Sequence, residues 1–440
     1  MELFRLLPPR RSCDDSAGSC VAVTLSECGR RIVWCLETIP NESHFAGKGN
    51  CMRRIQALCC LLLLGATGCD FFVPQSNCTD CTTTGDYLYV ANGNNTYIAG
   101  FGVSTAGALS VLTSSPYNNG VAAQALALTP TNSFLYAATT NGIYVYAINS
   151  NGSITVQNSG NPVAQDVIAT SMQVDSTGGY LLAAGIGTSI TAQAIGVYSI
   201  DTTTGLLTAL TGSPVALYTG KAATATVVTP TAMLITPNNS YVYVSLGSLG
   251  VQLLTLGSGG ALSPGTTVTY LPPLSTSTSP ADYGLASDPN SKFLFVGEFN
   301  TGLRVFSIGT NGGLSEISGS PYTTGTGPIG VALDTTGSYV YVANKGSNNI
   351  SAFTLTAASG KLTAVSGSPF SSGGLQPIAF VNDNQKTYLA VINSGSNGSS
   401  GNSDLQLFKF DATTDGKLDP VSTASTGTDP TNPTAITATH

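Results

Sequence analysis

The chain has 440 residues, of which 42% are hydrophobic and only 9% charged, with 50 glycines. Disorder needs the opposite balance, low hydrophobicity with high net charge, so this is the composition of a folded, β-rich protein with many tight turns. From Asp70 onward there are 17 acidic and 8 basic residues, and Arg304 is the only arginine. Nucleic acid requires clustered Lys and Arg to displace counterions, so it is a poor fit as a partner.

In chain order, the first feature is an address. Met52-Arg53-Arg54 is a basic start, followed by the apolar run Ala57–Leu64 and then Gly65-Ala66-Thr67-Gly68-Cys69. That is a charged n-region, an h-region too short to span a bilayer, and small residues before a cysteine. The ending resembles a bacterial lipobox, which implies acylation of Cys69 and a protein held in the cell envelope by its lipid alone. The alternative is an ordinary cleaved signal and a secreted protein. Residues 1–51 lie upstream of this start and read as untranslated or without structure, 52–68 as the signal peptide, and 69–82 as a tether. Cys13, Cys20, Cys28 and Cys35 lack the close pairing that zinc ligands show. The tether carries Cys78 and Cys81, which read as a small disulfide or two idle thiols, because no helix pattern follows them. All ten cysteines lie at or before Cys81, so the rest of the chain holds no disulfide and no thiolate metal site.

From residue 83 to 440 one pattern repeats. A strand signal recurs at Tyr87, Phe134, Tyr180, Tyr241, Phe293, Tyr339 and Tyr388, seven copies in all. A second apolar strand follows each, with copies ending at Phe101, Tyr146, Tyr198, Leu254, Phe306, Phe353 and Phe408. Next comes a Gly-containing turn and an apolar residue, from Leu109 to Leu418, and often a Ser-Pro closes the unit. Each unit opens with a further apolar strand, such as Ile329–Asp334. Four strands in about 50 residues make a propeller blade. The strands are apolar on both faces, as sheets sandwiched between other sheets must be. The first unit lacks its inner strand, and Pro433–Thr439 supplies one at the other end of the chain. The expected fold is therefore all-β, a seven-bladed propeller closed by pairing the C-terminal strand into the first blade. Closure removes the open edges of a linear array.

Tyr341-Val-Ala-Asn344 and Tyr89-Val-Ala-Asn92, with the Gly-x-Leu-Thr and Gly-Ser-Pro-Phe elements, resemble the lactonase-family propellers. That group includes 6-phosphogluconolactonase-like proteins and surface-associated YVTN repeats. The resemblance implies, for active members, His, Arg and Glu near the mouth of the central channel. Here the propeller has no histidine except His440, one arginine, Arg304, and two glutamates, Glu298 and Glu316. Glu298 departs from the asparagine held by sister blades, and with Arg304 it is a weak catalytic candidate, read here as an exposed ion pair on a hairpin. Asp166 and Asp282 precede inner strands, in loops expected to ring one end of the channel, and are the ligand-binding candidates. Asp175, Asp288, Asp334 and Asp383 match Asx-turn chemistry instead. No cofactor is required; calcium, which takes six to eight oxygens, is compatible with the two aspartates and not demanded by their spacing. Two functions follow: an exported, membrane-tethered module binding a protein or carbohydrate, or a hydrolase of some lactone. The missing histidine and lone arginine favour the first. Export argues against a phosphorylated sugar as the substrate of the second.

Overall fold

The computed structural model describes residues 21–23, 32–34, 85–93, 96–118, 120–217, 227–264, 282–395, 404–411, 415–427 and 432–440. Cys69, Cys78, Cys81 and the signal segment lie outside the described residues, as does the side chain of Asp282. The N-terminal unit, Met1–Gln75, contributes a short antiparallel ladder of Val21–Val23 with Ile32–Trp34.

The second unit, Ser76–His440, is the propeller. Six of its seven sheets run, from inner to outer strand, in chain order. In blade 5 the strands are Asp282–Ser287, Phe293–Glu298, Gly302–Ile308 and Leu314–Glu316. Blade 1 takes its inner strand from Pro433–Ala438, which pairs antiparallel with the second strand as Leu88↔Ala438 through Asn92↔Pro433. Closure is thus as the sequence implies. The third strands run past the aromatic that marks them, to Val103 and Ile308 for example, because the ladder continues until the turn glycine.

The core is split into slabs between blades. On the second strand of blade 1, Tyr89 and Ala91 pack against blade 2, while Leu88 and Val90 pack against blade 7. This is why the strand signal is apolar at every position. The aromatics of that signal have a second task. Gly152 sits at φ +77, and a Cβ there would lie 2.5 Å from the Tyr87 ring of the preceding blade. Gly416 meets Tyr339 in the same way, and the arrangement recurs at all seven interfaces. Only glycine allows both that φ and that approach. Where a second tyrosine is present its hydroxyl crosses the same interface: Tyr89 donates to Gly152 O at 2.7 Å and Tyr341 to Gly416 O at 3.1 Å. Burial pushes both tyrosine pKa values well up, so these hydroxyls stay protonated and keep donating. The serine of each Ser-Pro holds the third strand, with Ser320 Oγ accepting from Val305 N–H at 3.1 Å and Ser115 Oγ from Gly100 N–H at 2.8 Å.

The Asx-turn reading holds. Asp334 accepts the Thr336 and Tyr339 N–H groups, at 3.1 and 2.7 Å. Asp383 accepts those of Thr387 and Tyr388, both at 2.7 Å. In blade 1 the closing strand fills this role, Thr439 Oγ1 accepting from Tyr87 N–H at 2.8 Å.

Candidate functional site at the channel mouth

Inner strands begin, and second strands end, on the same face of the propeller, here called the upper face. In six blades the inner ladder shifts register near that end. The shifts fall between Ala123 and Ala125, Ala169 and Ser171, Asp282 and Gly284, Pro328 and Gly330, Pro377 and Ala379, and across Ala91/Asn92. A bulge leaves one residue outside the ladder and re-aims it. Among the described side chains the residues so released are Gln124, Thr170, Ile329, Ile378 and Thr434, and all five line a concave mouth of about 510 Å³. Blade 4 has an unbroken ladder and contributes Thr231 and Ala232.

The mouth has two chemical halves. Blades 1 to 4 bring Thr434, Gln124, Thr170 and Thr231; blades 6 and 7 bring Ile329, Val331, Ile378 and Phe380. Two of the threonines are already committed between blades, Thr170 Oγ1 donating to Pro230 O at 2.7 Å and Thr434 Oγ1 to Ala123 O at 2.8 Å. Lys345, one residue past the second strand of blade 6, is the only charged side chain lining the mouth among the described residues. Its backbone N–H is fixed on Gly327 O at 2.8 Å, which anchors the root of the side chain. A wall of apolar and hydroxyl groups with one ammonium suits a small polar molecule whose carbonyl or carboxylate faces the cation.

Arg304, Glu298 and Glu316 are brought together, but not here. Arg304 forks onto Glu316, Nε to Oε1 at 3.0 Å and Nη2 to Oε2 at 2.9 Å, and its Nη1 lies 3.7 Å from Glu298 Oε2. Its guanidinium carbon stands 4.8 Å over the Phe306 ring. The Arg304 and Glu298 side chains are 5% and 0% exposed. The expected surface pair is therefore corrected: it is an ion pair, but a buried one. The reason lies in the strand register. Arg304 pairs with Val296 across the ladder, so it shares the face on which Val296 packs against blade 4. The Arg304 hydrogen bonds hold the Glu316 carboxyl below its ordinary pKa, with help from Ser320 Oγ at 2.8 Å.

Asp166 is also corrected. It does not line the mouth; its carboxylate accepts from the Tyr198 hydroxyl and, at 3.4 Å, from Ser213 Oγ, within blade 3. The Asp282 backbone stands at the upper end of the blade 5 inner strand, in register with Glu298. Gln124 and Lys345 were not singled out from the sequence, since bulge residues share no residue type and a lysine after a strand looks like any loop cation.

The family's sequence profile, described as lactonase, seven-bladed β-propeller, matches residues 79–220 and 230–373. The chain belongs to the lactonase family. Among solved structures, this lactonase-family propeller is similar to a Bacteroides fragilis protein provisionally described as a 6-phosphogluconolactonase. The two share 20% identity and a TM-score of 0.60, over 81% of this chain and 99% of that one. It is likewise similar to the Pseudomonas aeruginosa periplasmic gluconolactonase, at 17% identity and a TM-score of 0.59, covering 81% and 99%. A Lactobacillus plantarum protein matches at 20% identity and a TM-score of 0.59, covering 80% and 99%. These identities establish the fold alone. No curated protein matches the chain.

Proposed function

We propose that the protein is a lactone hydrolase acting at the upper mouth of the central channel. The observation that carries this reading is the bulged mouth itself, concave, of ligand size, and supplied with one ammonium. Membership of the lactonase family supports it. In this reading the lactone carbonyl lies against Lys345 and the Gln124 amide. A water adds to the carbonyl carbon and passes its proton to a neighbouring water, and Lys345 stabilises the oxyanion. The ring C–O bond then breaks, the departing alkoxide takes the proton, and a hydroxy acid leaves. Arg304 and the two glutamates contribute structure, not chemistry.

Titration of released acid at constant pH, over a panel of five- and six-membered sugar and aliphatic lactones, tests the reading. Wild type should turn over at least one of them well above the buffer rate. Lys345→Ala should lower kcat/KM by about 100-fold, the usual cost of one oxyanion donor. No turnover by wild type, or turnover untouched by that change, overturns the reading. The second reading, a binding module without chemistry, has one observation in its favour: no described carboxylate or imidazole lines the upper mouth. It predicts saturable lactone or hydroxy-acid binding with no acid release. Export and acylation of Cys69 remain part of the proposal and are independent of the site.

A further inference from the structure

The ring closes between blades 7 and 1, and a pair of carboxyl groups is buried in that seam. Asp86 immediately precedes the second strand of blade 1, and Asp383 opens the turn of blade 7; they are 0% and 3% exposed. One oxygen of each is spoken for. Asp86 Oδ1 accepts from Asn384 N–H at 3.2 Å, and Asp383 Oδ1 accepts the Thr387 and Tyr388 N–H groups. The other oxygens, Asp86 Oδ2 and Asp383 Oδ2, are buried and meet no donor. Because the N–H that Asp86 accepts belongs to the residue following Asp383, the two carboxyls are brought side by side across the seam. Neighbouring buried carboxylates resist ionising together without a counter-ion, whereas a carboxyl and a carboxylate make a strong hydrogen bond. No lysine or arginine pairs with either one among the described residues.

We propose that Asp86 and Asp383 share one proton across the seam, making ring closure a pH-sensitive lock that is tight in acid and loosens when the proton leaves. Asp86 is the partner whose environment favours keeping it, since burial first and the Asp383 charge second push its pKa up to about 7. The sign follows from linkage. An unfolded Asp86 loses its proton near pH 4, so between there and neutrality the folded state holds a proton that the unfolded state does not. Stability therefore falls as pH rises through that window, the reverse of an ordinary salt-bridged aspartate. The other ionisable groups at the seam are few. Tyr388 lies beside both carboxyls, with its hydroxyl on Thr105 O at 3.0 Å, and burial first and their charge second raise its pKa. Lys386 sits in the Asp383 turn, and His440 follows Thr439 on the closing strand, with its backbone held by Asn132. His440 itself is exposed.

Asp86→Asn is the discriminating change, because its amide keeps an acceptor for Asn384 and places a permanent donor toward Asp383. Melting temperatures of the full-length wild type should fall by several degrees between pH 5 and pH 8. Those of Asp86→Asn should change much less, and at pH 8 should equal or exceed wild type. Hydrogen exchange in Leu88–Asn92 and Pro433–Ala438 should quicken with pH in wild type beyond its intrinsic dependence, and not in the variant. Equal pH slopes in both proteins overturn the proposal. So does a rise in wild-type melting temperature at pH 8 on adding calcium, absent in Asp86→Asn, which would make the pair a cation site instead.

Discussion

Deleting Pro433–His440 is expected to lower the stability of the propeller by more than any point substitution. The strand supplies the inner ladder of blade 1, from Leu88↔Ala438 to Asn92↔Pro433. Each lost backbone hydrogen bond costs about 1 kcal/mol net. Ala438 and Ile436 also leave the slab between blades 7 and 1, where Leu88 and Val90 are fully buried. Thr439 no longer accepts the Tyr87 N–H, and the second strand of blade 1 becomes an unpaired edge open to association. A total loss of roughly 5 kcal/mol or more follows. Thermal melts of the truncated and full chains measure it, and a truncated protein melting within a degree or two of full length contradicts it.

Arg304→Ala carries the second largest effect. It removes the only cation from between Glu298 and Glu316, one fully buried and the other one-third exposed. Breaking a buried pair by deleting one partner costs about 3–5 kcal/mol, because the charge left behind is uncompensated. It also strips the Phe306 ring of its guanidinium. Urea unfolding gives the loss directly. Replacing all three groups together, as Arg304→Met with Glu298→Gln and Glu316→Gln, should recover most of it, since near-isosteric neutral groups need no counter-charge. An Arg304→Ala protein within 1 kcal/mol of wild type contradicts this account of the cluster.

The blades were legible because their contacts repeat. A glycine that must lie flat on the preceding blade's aromatic, as Gly152 does on Tyr87, leaves the same two residues in every unit. Closure was legible for the same reason, as a unit missing one strand and a strand missing its unit. The candidate site was not, because it is built from departures from the repeat. The bulges release Gln124, Thr170 and Ile329 at equivalent places with nothing in common as residue types. Glu298 did stand out as a departure from Asn344 and Asn92, yet its depth depends on Arg304 and Glu316, which only strand register brings alongside. Asp166 failed in the opposite direction. A loop aspartate before an inner strand points to the channel by topology, but Tyr198 and Ser213 offer it donors inside the blade. Asp86 and Asp383 meet only because the ring closes, and no local pattern predicts them.

The central claim, that the upper channel mouth binds the ligand, is tested most directly by a co-crystal structure with a slowly hydrolysed lactone analogue such as the corresponding lactam. The account predicts density within the mouth of about 510 Å³, its carbonyl within hydrogen-bond distance of Lys345 Nζ and the Gln124 amide. Saturable binding with density at the lower mouth, which His440 helps to line, or outside the channel altogether, would contradict it.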